Sequence, residues 1–364
     1  MIRMIHGADF HLDAPFRALP PEHAARRRAE QRELLFRLAD LANRQEADLV
    51  LLSGDLFDRA EVYKETLEAL EQALGRIRGR VFIAPGNHDF WSERSPYAGS
   101  GWPQNVHIFR GADPEAVEVP ELSCVVHGGA FTAPFREDRV LEGFSAPADG
   151  KIHIGVFHGE TAAESRYGPI PEEDIRASGL DYLALGHIHA LTGPERAGST
   201  VWAYPGCPEG RGFDELGDKG VLCGIVDRGS AELTFVPLCG RRYLIREVDV
   251  TGQDPADALA RALPEGESGD LCRILLTGER GMEPLDLKAL EAMAAPRYYS
   301  VSVRDKTHVR RDLWDRAEED TLTGLFLREM RRRLEEAADD EARAAVELAV
   351  RFGLAALENR EDPR

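Results

Sequence analysis

The chain has 364 residues, 43% hydrophobic and 30% charged, the proportions of a folded globular protein rather than a disordered one. No apolar run approaches the roughly 18 residues of a helical membrane span, so no membrane role of that kind is expected. A formal net charge of −19 argues against a protein that coats phosphates with Lys and Arg. It leaves room for a nucleic-acid enzyme whose positive charge comes from metal ions.

In chain order, MIRMIHG predicts a first strand; its apolar run is too short for a signal peptide. A helix is predicted over 22–45, a strand at ADLVLLSGD, a second helix over 62–77 and a third strand at RVFIAPGN. CVVHGG, KIHIGVFH and LDYLALGH read as further strands. The alternation predicts an α/β architecture with right-handed crossovers, and the nearly unbroken apolar strands predict cover on both faces. GVLCGIVD, AELTFVPL and RYLIREVDV read as antiparallel strands closing this first domain, placed at 1–240. Residues 241–308 read as a small α+β domain. Residues 309–364 carry no strand signal and read as two helices, with Leu313, Trp314, Ala317, Leu322, Leu325, Phe326, Met330 and Leu334 near helical spacing. The five cysteines are scattered without a CxxC pair, which favours a reducing cytoplasm over disulfides or a zinc ribbon.

The strong strands share one property: each stops at a metal-type ligand. The first ends on Asp9 and His11, whose side chains, two residues apart in an extended chain, point the same way. The second gives Asp55, three residues before Asp58; the third gives Asn87, His88 and Asp89; the others give His158, and His187 with His189. Ligands gather at the carboxyl ends of strands in open α/β sheets, so these side chains are expected in one crevice. Carboxylate, amide oxygen and imidazole without thiolate suit Mn²⁺, Fe²⁺ or Zn²⁺. Seven ligands suit two ions sharing one carboxylate, about 3.5–4 Å apart, a standard clamp for a phosphoryl group.

Taken singly, each motif has an ordinary explanation. A lone buried His is more often a hydrogen-bonded core residue, and His6, His23, His107, His127, His153 and His308 are read that way. GNHD and GHIH could each be simple turns, with Asp89 the turn residue. Arg26-Arg27-Arg28 and Arg331-Arg332-Arg333 read as solvated helix faces, and the apolar C-terminal residues as packing mostly on their own chain. It is the coincidence of all five strand ends that points to a metal centre.

The series ADFH, GDLFD, GNHD, FHGE and GHIH resembles the ordered signature of the calcineurin-like metallophosphoesterases. The resemblance implies a β-sandwich flanked by helices. It implies one divalent ion held by Asp9, His11, Asp55 and His189, and another by Asp55, Asn87, His158 and His187. ADFHLDAPF, VFHGE and YPGCPEGRGFDELGDKG are most similar to the SbcD/YhaO-like DNA repair exonucleases, with Cys207 where Ser is usual. That likeness implies a DNA substrate, a capping domain after the catalytic one, C-terminal helices that dock an SbcC-like ATPase, and a homodimer. It also implies in-line attack on phosphorus by a hydroxide bridging the ions, with His88 as acid or charge stabiliser. One departure stands out: the resembled nucleases have His where this chain has Asp58, followed by Arg59 as in phosphatases of the superfamily. Asp58 is expected to hydrogen-bond and orient His88, and Arg59 to contact a phosphate oxygen. The alternative function is a phosphatase or phosphodiesterase for nucleotides or other small phosphoesters; a non-catalytic scaffold is a third reading that the complete ligand set disfavours.

Overall fold

The computed structural model describes residues 1–99, 101–280, 284–309, 314–337 and 339–357. Leu313 therefore lies outside the described residues. One compact unit comprises Met1–Arg246, Pro264–Arg273 and Ala294–Ser302; the other comprises Glu247–Leu263, Ile274–Met293 and Val303–Arg364.

The first unit is built on two six-stranded sheets. Its elements up to the second sheet's end are β1 (Ile2–Gly7), α1 (Pro21–Arg44), β2 (Leu49–Leu52), α2 (Lys64–Gly75), β3 (Arg80–Ile83), β4 (Val106–Ile108), β5 (Glu115–Val119), β6 (Cys124–Gly128), β7 (Ile152–His158), α3 (Glu172–Ala177), β8 (Tyr182–Gly186), β9 (Glu195–Ala197) and β10 (Thr200–Ala203). β11 (Gly220–Asp227) and β12 (Ser230–Pro237) then return to the first sheet. The orders are β12-β11-β1-β2-β3-β4 and β5-β6-β7-β8-β10-β9. β1, β2, β3 and β4 run parallel to one another, as do β6, β7, β8 and β10, while β5 and β9 close the second sheet antiparallel on β6 and β10. β11 closes antiparallel on β1.

Alternation along each strand feeds two cores. On β2, Leu49 and Leu51 pack between the sheets with Val126, Ile154 and Ala184, while Val50 and Leu52 pack under Leu35 and Leu38 of α1 and Leu70 and Leu74 of α2. β8 does the same on the far side: Tyr182 and Ala184 face the inter-sheet core, and Leu183 and Leu185 face a third cluster with Ile175 of α3. The result is a β-sandwich flanked by helices, as expected of strands apolar on both faces.

Several local expectations shift. α2 starts two residues later than its apolar pattern suggests, because Asp13 holds the chain extended: its Oδ2 accepts from Tyr63 N–H at 2.9 Å and its Oδ1 from the Thr66 hydroxyl at 2.7 Å. RYLIREVDV does not close the sandwich; as β13 (Tyr243–Asp249) it joins a three-stranded sheet with β14 (Ser268–Thr277) and β16 (Tyr298–Asp305), in the order β13-β14-β16. The Arg26-Arg27-Arg28 run is not a uniformly solvated face either. Arg27 is fully buried, donating to Glu209, to Glu30 at 2.8 Å and to the Gly210 carbonyl at 3.2 Å.

In the second unit, α4 (Pro255–Ala262) is capped by Asp254, whose carboxylate accepts from the Ala256 and Asp257 N–H groups. α5 (Leu287–Ala294) follows, and the short strands β15 (Glu279–Arg280) and β17 (His308–Val309) pair in parallel. At the C-terminus α6 (Leu322–Glu336) packs on α7 (Asp340–Leu357) through Phe326, Leu327, Met330, Val350 and Leu354, with Trp314 and Ala317 beside them. Leu325 instead lies exposed. Arg332 and Arg333 pair with Glu329 on the helix surface, a solvated arrangement. No helix of the described residues is long and apolar enough to cross a membrane.

His6, mid-β1 and fully buried, lies 2.9 Å from Tyr182 Oη through Nδ1 and 3.1 Å from Ser53 Oγ through Nε2. Burial pushes its pKa from 6.5 down to about 3, so the folded state holds it neutral. The stability this confers is complete above pH 6.5 and is lost as pH falls toward 3. The wild-type urea midpoint should therefore drop across that window, with a contribution from His6 of up to about 1.4 kcal/mol per pH unit. His6→Asn should make the decline measurably shallower; equal slopes for the two proteins would contradict this.

Candidate metal centre

The two sheets present their strand ends at one edge, and the chain leaves them through strained backbone. Among the described residues eight non-glycines have positive φ, and four are candidate ligands: Asp9 (56°), His11 (44°), Asp55 (51°) and His187 (106°). Such conformations persist where the surroundings over-determine them. The loops after β1 and β2 are laced together here: Asp9 N–H donates to Gly54 O at 3.0 Å, His11 N–H to Asp55 O at 2.9 Å and Leu12 N–H to Leu56 O at 2.8 Å. Gly54 itself takes φ +89°, and a Cβ there would stand 2.4 Å from His158 Nδ1. The close approach of strand end to imidazole requires glycine.

The structure brings most of the predicted ligands together in two groups. Asp9, His11 and His189 offer ligand atoms all within 4.8 Å of one another, and so do Asp9, Asp55 and His158. His11 Nε2 is 3.2 Å from His189 Nε2 and 3.6 Å from Asp55 Oδ2. His158 Nε2 is 3.0 Å from Asn87 Oδ1 and 3.5 Å from Asp55 Oδ2. His187 belongs to neither group; its ring stands edge-on to that of His158, centroids 5.2 Å apart, and its backbone N–H donates to both oxygens of Asp9 at 3.1 Å. Asp9, His11, Asp55 and His158 are buried, while His187 and His189 are partly exposed.

The donor set fits divalent cations. His158 Nδ1–H donates to Ser53 O at 2.8 Å and His189 Nδ1–H to Glu215 Oε1 at 2.8 Å, which turns both Nε2 lone pairs toward the other acceptors. Burial lowers the pKa of His11 and of His187 to about 4, so both are neutral, the ligating form, at pH 7. The two buried carboxylates part company. Burial and the Asp55 charge push Asp9 well up, whereas the surrounding imidazoles of His158, His11 and His88 outweigh burial and hold Asp55 low. Buried acceptors that converge with too few donors to pair them all are what a cation satisfies.

Around them stands a supporting shell. Asp89 is no mere turn residue: fully buried, it accepts from Leu56 and Phe57 N–H at 2.7 and 3.1 Å, from Gly86 N–H at 2.7 Å and from the Tyr97 hydroxyl at 2.5 Å, bracing the second strand's loop against the third's. His88 N–H donates to Asp55 Oδ1 at 2.9 Å. The partner of His88 Nδ1–H is the backbone carbonyl of Asp58 at 3.0 Å, not the Asp58 carboxylate expected from sequence. That carboxylate lies 3.5 Å from His11 Nδ1 and 3.5 Å from Arg211 Nη1. Burial alone would raise its pKa, but the contact with His11 and the Arg211 charge hold it low. Arg59, half exposed, sits 3.6 Å from Asp58 Oδ2.

Two residues outside the expected set reach the centre. Glu215 lies behind His189, and Arg211 donates to both Glu215 oxygens, through N–H at 2.7 Å and Nη2 at 2.8 Å. Burial opposes the Glu215 charge, but His189 and Arg211 drive its pKa far below the usual range. Both come from GRGFDELGDKG, a run that carries a family likeness in the sequence but no ligand pattern of its own.

Residues 2–191 match the family model for calcineurin-like phosphoesterase, more than half the chain and all the candidate ligands. The chain belongs to the calcineurin-like phosphoesterase family. It is similar to the uncharacterized metallophosphoesterase YhaO of Bacillus subtilis, 32% identical over 64% of this chain and 60% of that protein. It is also similar to the DNA double-strand break repair protein Mre11 of Methanopyrus kandleri, 24% identical over 73% of this chain and 63% of that one. The SbcD component of the SbcCD nuclease of Staphylococcus epidermidis is 25% identical over 71% of this chain and 74% of that protein. The chain thus spans less than two thirds of the length of YhaO and of Mre11.

Glu215→Gln should leave the fold intact and weaken divalent-ion affinity by roughly 10- to 100-fold, because outer partners of ligating imidazoles act on that scale. Calorimetric titration with Mn²⁺ measures it, and unchanged affinity would show that His189 needs no such support.

Proposed function

We propose that this phosphoesterase is a dinuclear-metal phosphodiesterase acting on DNA, a nuclease of the repair type. The observation that carries it is the convergence of Asp9, His11, Asp55, Asn87, His158 and His189 at one edge of the sandwich; kinship with nucleases adds support. We assign one ion to Asp9, His11, Asp55 and His189, and the other to Asp55, Asn87, His158 and His187. Mn²⁺ suits the oxygen and imidazole donors best, with Fe²⁺ or Zn²⁺ as alternatives. Bound there, the ions supply Lewis-acid polarisation of phosphoryl oxygens and acidify a water near neutral pH.

The chain's own residues do the rest. His88, its Nδ1–H tied to the Asp58 carbonyl, turns Nε2 toward the substrate, where as an imidazolium it would give its Nε2 proton to the departing oxygen or stabilise charge building on phosphorus. Asp58 fixes that ring through its backbone and steadies His11 and Arg211 through its carboxylate. Arg59 contacts a non-bridging phosphate oxygen.

The same reading assigns catalysis to residues 1–240, a capping role to 241–308, and docking of an SbcC-like ATPase to 309–364. Exposed Leu322, Leu325, Leu348 and Phe352 on α6 and α7 support the docking surface. The homodimer of the resembled nucleases belongs to the same proposal. The five free cysteines are in keeping with a reducing cytoplasm.

A second reading, a phosphatase or phosphodiesterase for small phosphoesters, is favoured by the Asp58–Arg59 pair and the net charge of −19. One panel with Mn²⁺ separates the two: single-stranded DNA, duplex DNA ends, bis-p-nitrophenyl phosphate and p-nitrophenyl phosphate. Cleavage of DNA and the diester is expected; turnover of the monoester alone would overturn the nuclease. His88→Ala should lower kcat by about 10²- to 10⁴-fold while Mn²⁺ still binds. Asp55→Asn should lose both, and full activity in that variant would remove the shared-carboxylate assignment.

A further inference from the structure

A line of rings leads outward from His187. Tyr167 stacks on the His187 imidazole with centroids 5.0 Å apart and planes 30° from parallel. Phe135 lies 5.7 Å beyond Tyr167, 47% exposed, and the Arg166 guanidinium sits 4.2 Å above the Phe135 ring. Single exposed aromatics are ordinary on a protein surface. This one is the outer end of a row whose inner end touches a candidate ligand.

The row is also rigid. Arg136 N–H donates to Arg166 O at 2.9 Å and Gly168 N–H to Arg136 O at 2.8 Å, zipping the loop after β6 to the loop after β7. Arg136 Nη1 donates to Ala112 O at 2.6 Å, and Phe131 N–H to Pro85 O at 2.9 Å, which ties the first loop back to the GNHD segment. Tyr167 N–H donates to Ser165 Oγ at 3.0 Å, and Ser165 to Glu160 at 2.5 Å. Together these bonds hold two flat rings and a guanidinium beside the place where a phosphodiester would react.

We propose that Phe135, Tyr167 and Arg166 form a stacking ledge for the nucleobase next to the scissile phosphate, an inference that rests on the nucleic-acid reading above. Every base has a π face and stacks on aromatic side chains and guanidinium planes without hydrogen-bond readout, so the ledge selects for a nucleotide over a bare phosphodiester but not among sequences. Its place beside His187 confines that preference to the residue flanking the cleaved bond.

The test compares kcat/KM, with Mn²⁺, for the dinucleotide TpT and for its analogue lacking one base, with methyl p-nitrophenyl phosphate as a base-free diester. Wild-type protein should prefer TpT over the analogue by about 5- to 150-fold, the range of one base–aromatic stack. Phe135→Ala should erase most of that ratio, Phe135→Trp should keep it, and Tyr167→Leu should lower it. If wild-type protein cleaves TpT and the Phe135→Ala and Tyr167→Leu variants keep the full ratio, or if wild-type protein shows no ratio, the ledge is wrong and the nuclease stands. If only methyl p-nitrophenyl phosphate is cleaved, the nucleic-acid reading fails and the ledge with it.

Discussion

The rest of the structure is arranged around a crowd of acceptors facing one another, relieved only in part by the His187 and His88 backbone N–H groups that donate to Asp9 and Asp55. His158 and His189 spend their N–H groups on Ser53 O and Glu215, so the remaining lone pairs look toward Asn87, Asp55, His11 and Asp9. A folded chain tolerates such a concentration of buried acceptors only if it gains something that needs it, because unpaired buried polar groups are costly. The backbone carries the same cost in another form, with Asp9, His11, Asp55 and His187 all in conformations that side-chain-bearing residues avoid. What holds them is the sandwich itself. Two mixed β-sheets, whose parallel central strands are buried on both faces, deliver their strand ends to one edge with little freedom to relax.

That architecture explains why so much was legible in the sequence. Strands covered on both faces must be almost wholly apolar, so the polar residue that ends each one stands out, and the spacing of Asp9 from His11 or of His187 from His189 is a local pattern. The helices were legible for the same reason: an apolar stripe over Pro21–Arg44 has to meet a sheet. Short strands such as β4, β9 and β10 escaped because three or four residues carry too little periodicity to separate from a loop.

What could not be read was which side chains outside the strand-end pattern would meet across distant segments. Nothing in GRGFDELGDKG announces that Glu215 would sit behind His189, 26 residues away, since acidic residues in a glycine-rich loop are an ordinary surface feature. The role of Asp58 failed for a subtler reason. A carboxylate three residues after Asp55 and a histidine after Asn87 invite pairing, but the carbonyl of Asp58 takes the His88 proton and leaves the carboxylate for His11 and Arg211. Backbone acceptors are present at every position, so sequence cannot say which of them will win.

Arg27 shows how far inward this dependence on distant contacts goes. Taking an arginine and a glutamate out of water costs more than a weak pair returns, so burial of Arg27 with Glu209 leans on several further hydrogen bonds, although Arg27 Nε itself is left without a partner. Arg27 also holds Glu30 and the Gly210 carbonyl, and Glu209 accepts from Gly240 N–H at 3.0 Å. Such a network adds little net stability compared with apolar side chains of the same volume; what it secures is register. The segment it pins is the one that begins at Cys207 and carries Arg211 and Glu215 to His189. A helix that looks from sequence like scaffold thus sets the position of a candidate ligand through three consecutive contacts: α1 to Glu209, the loop to Glu215, and Glu215 to the imidazole. Part of the precision that phosphoryl chemistry demands of its positioned groups is supplied here by residues outside the candidate ligand set.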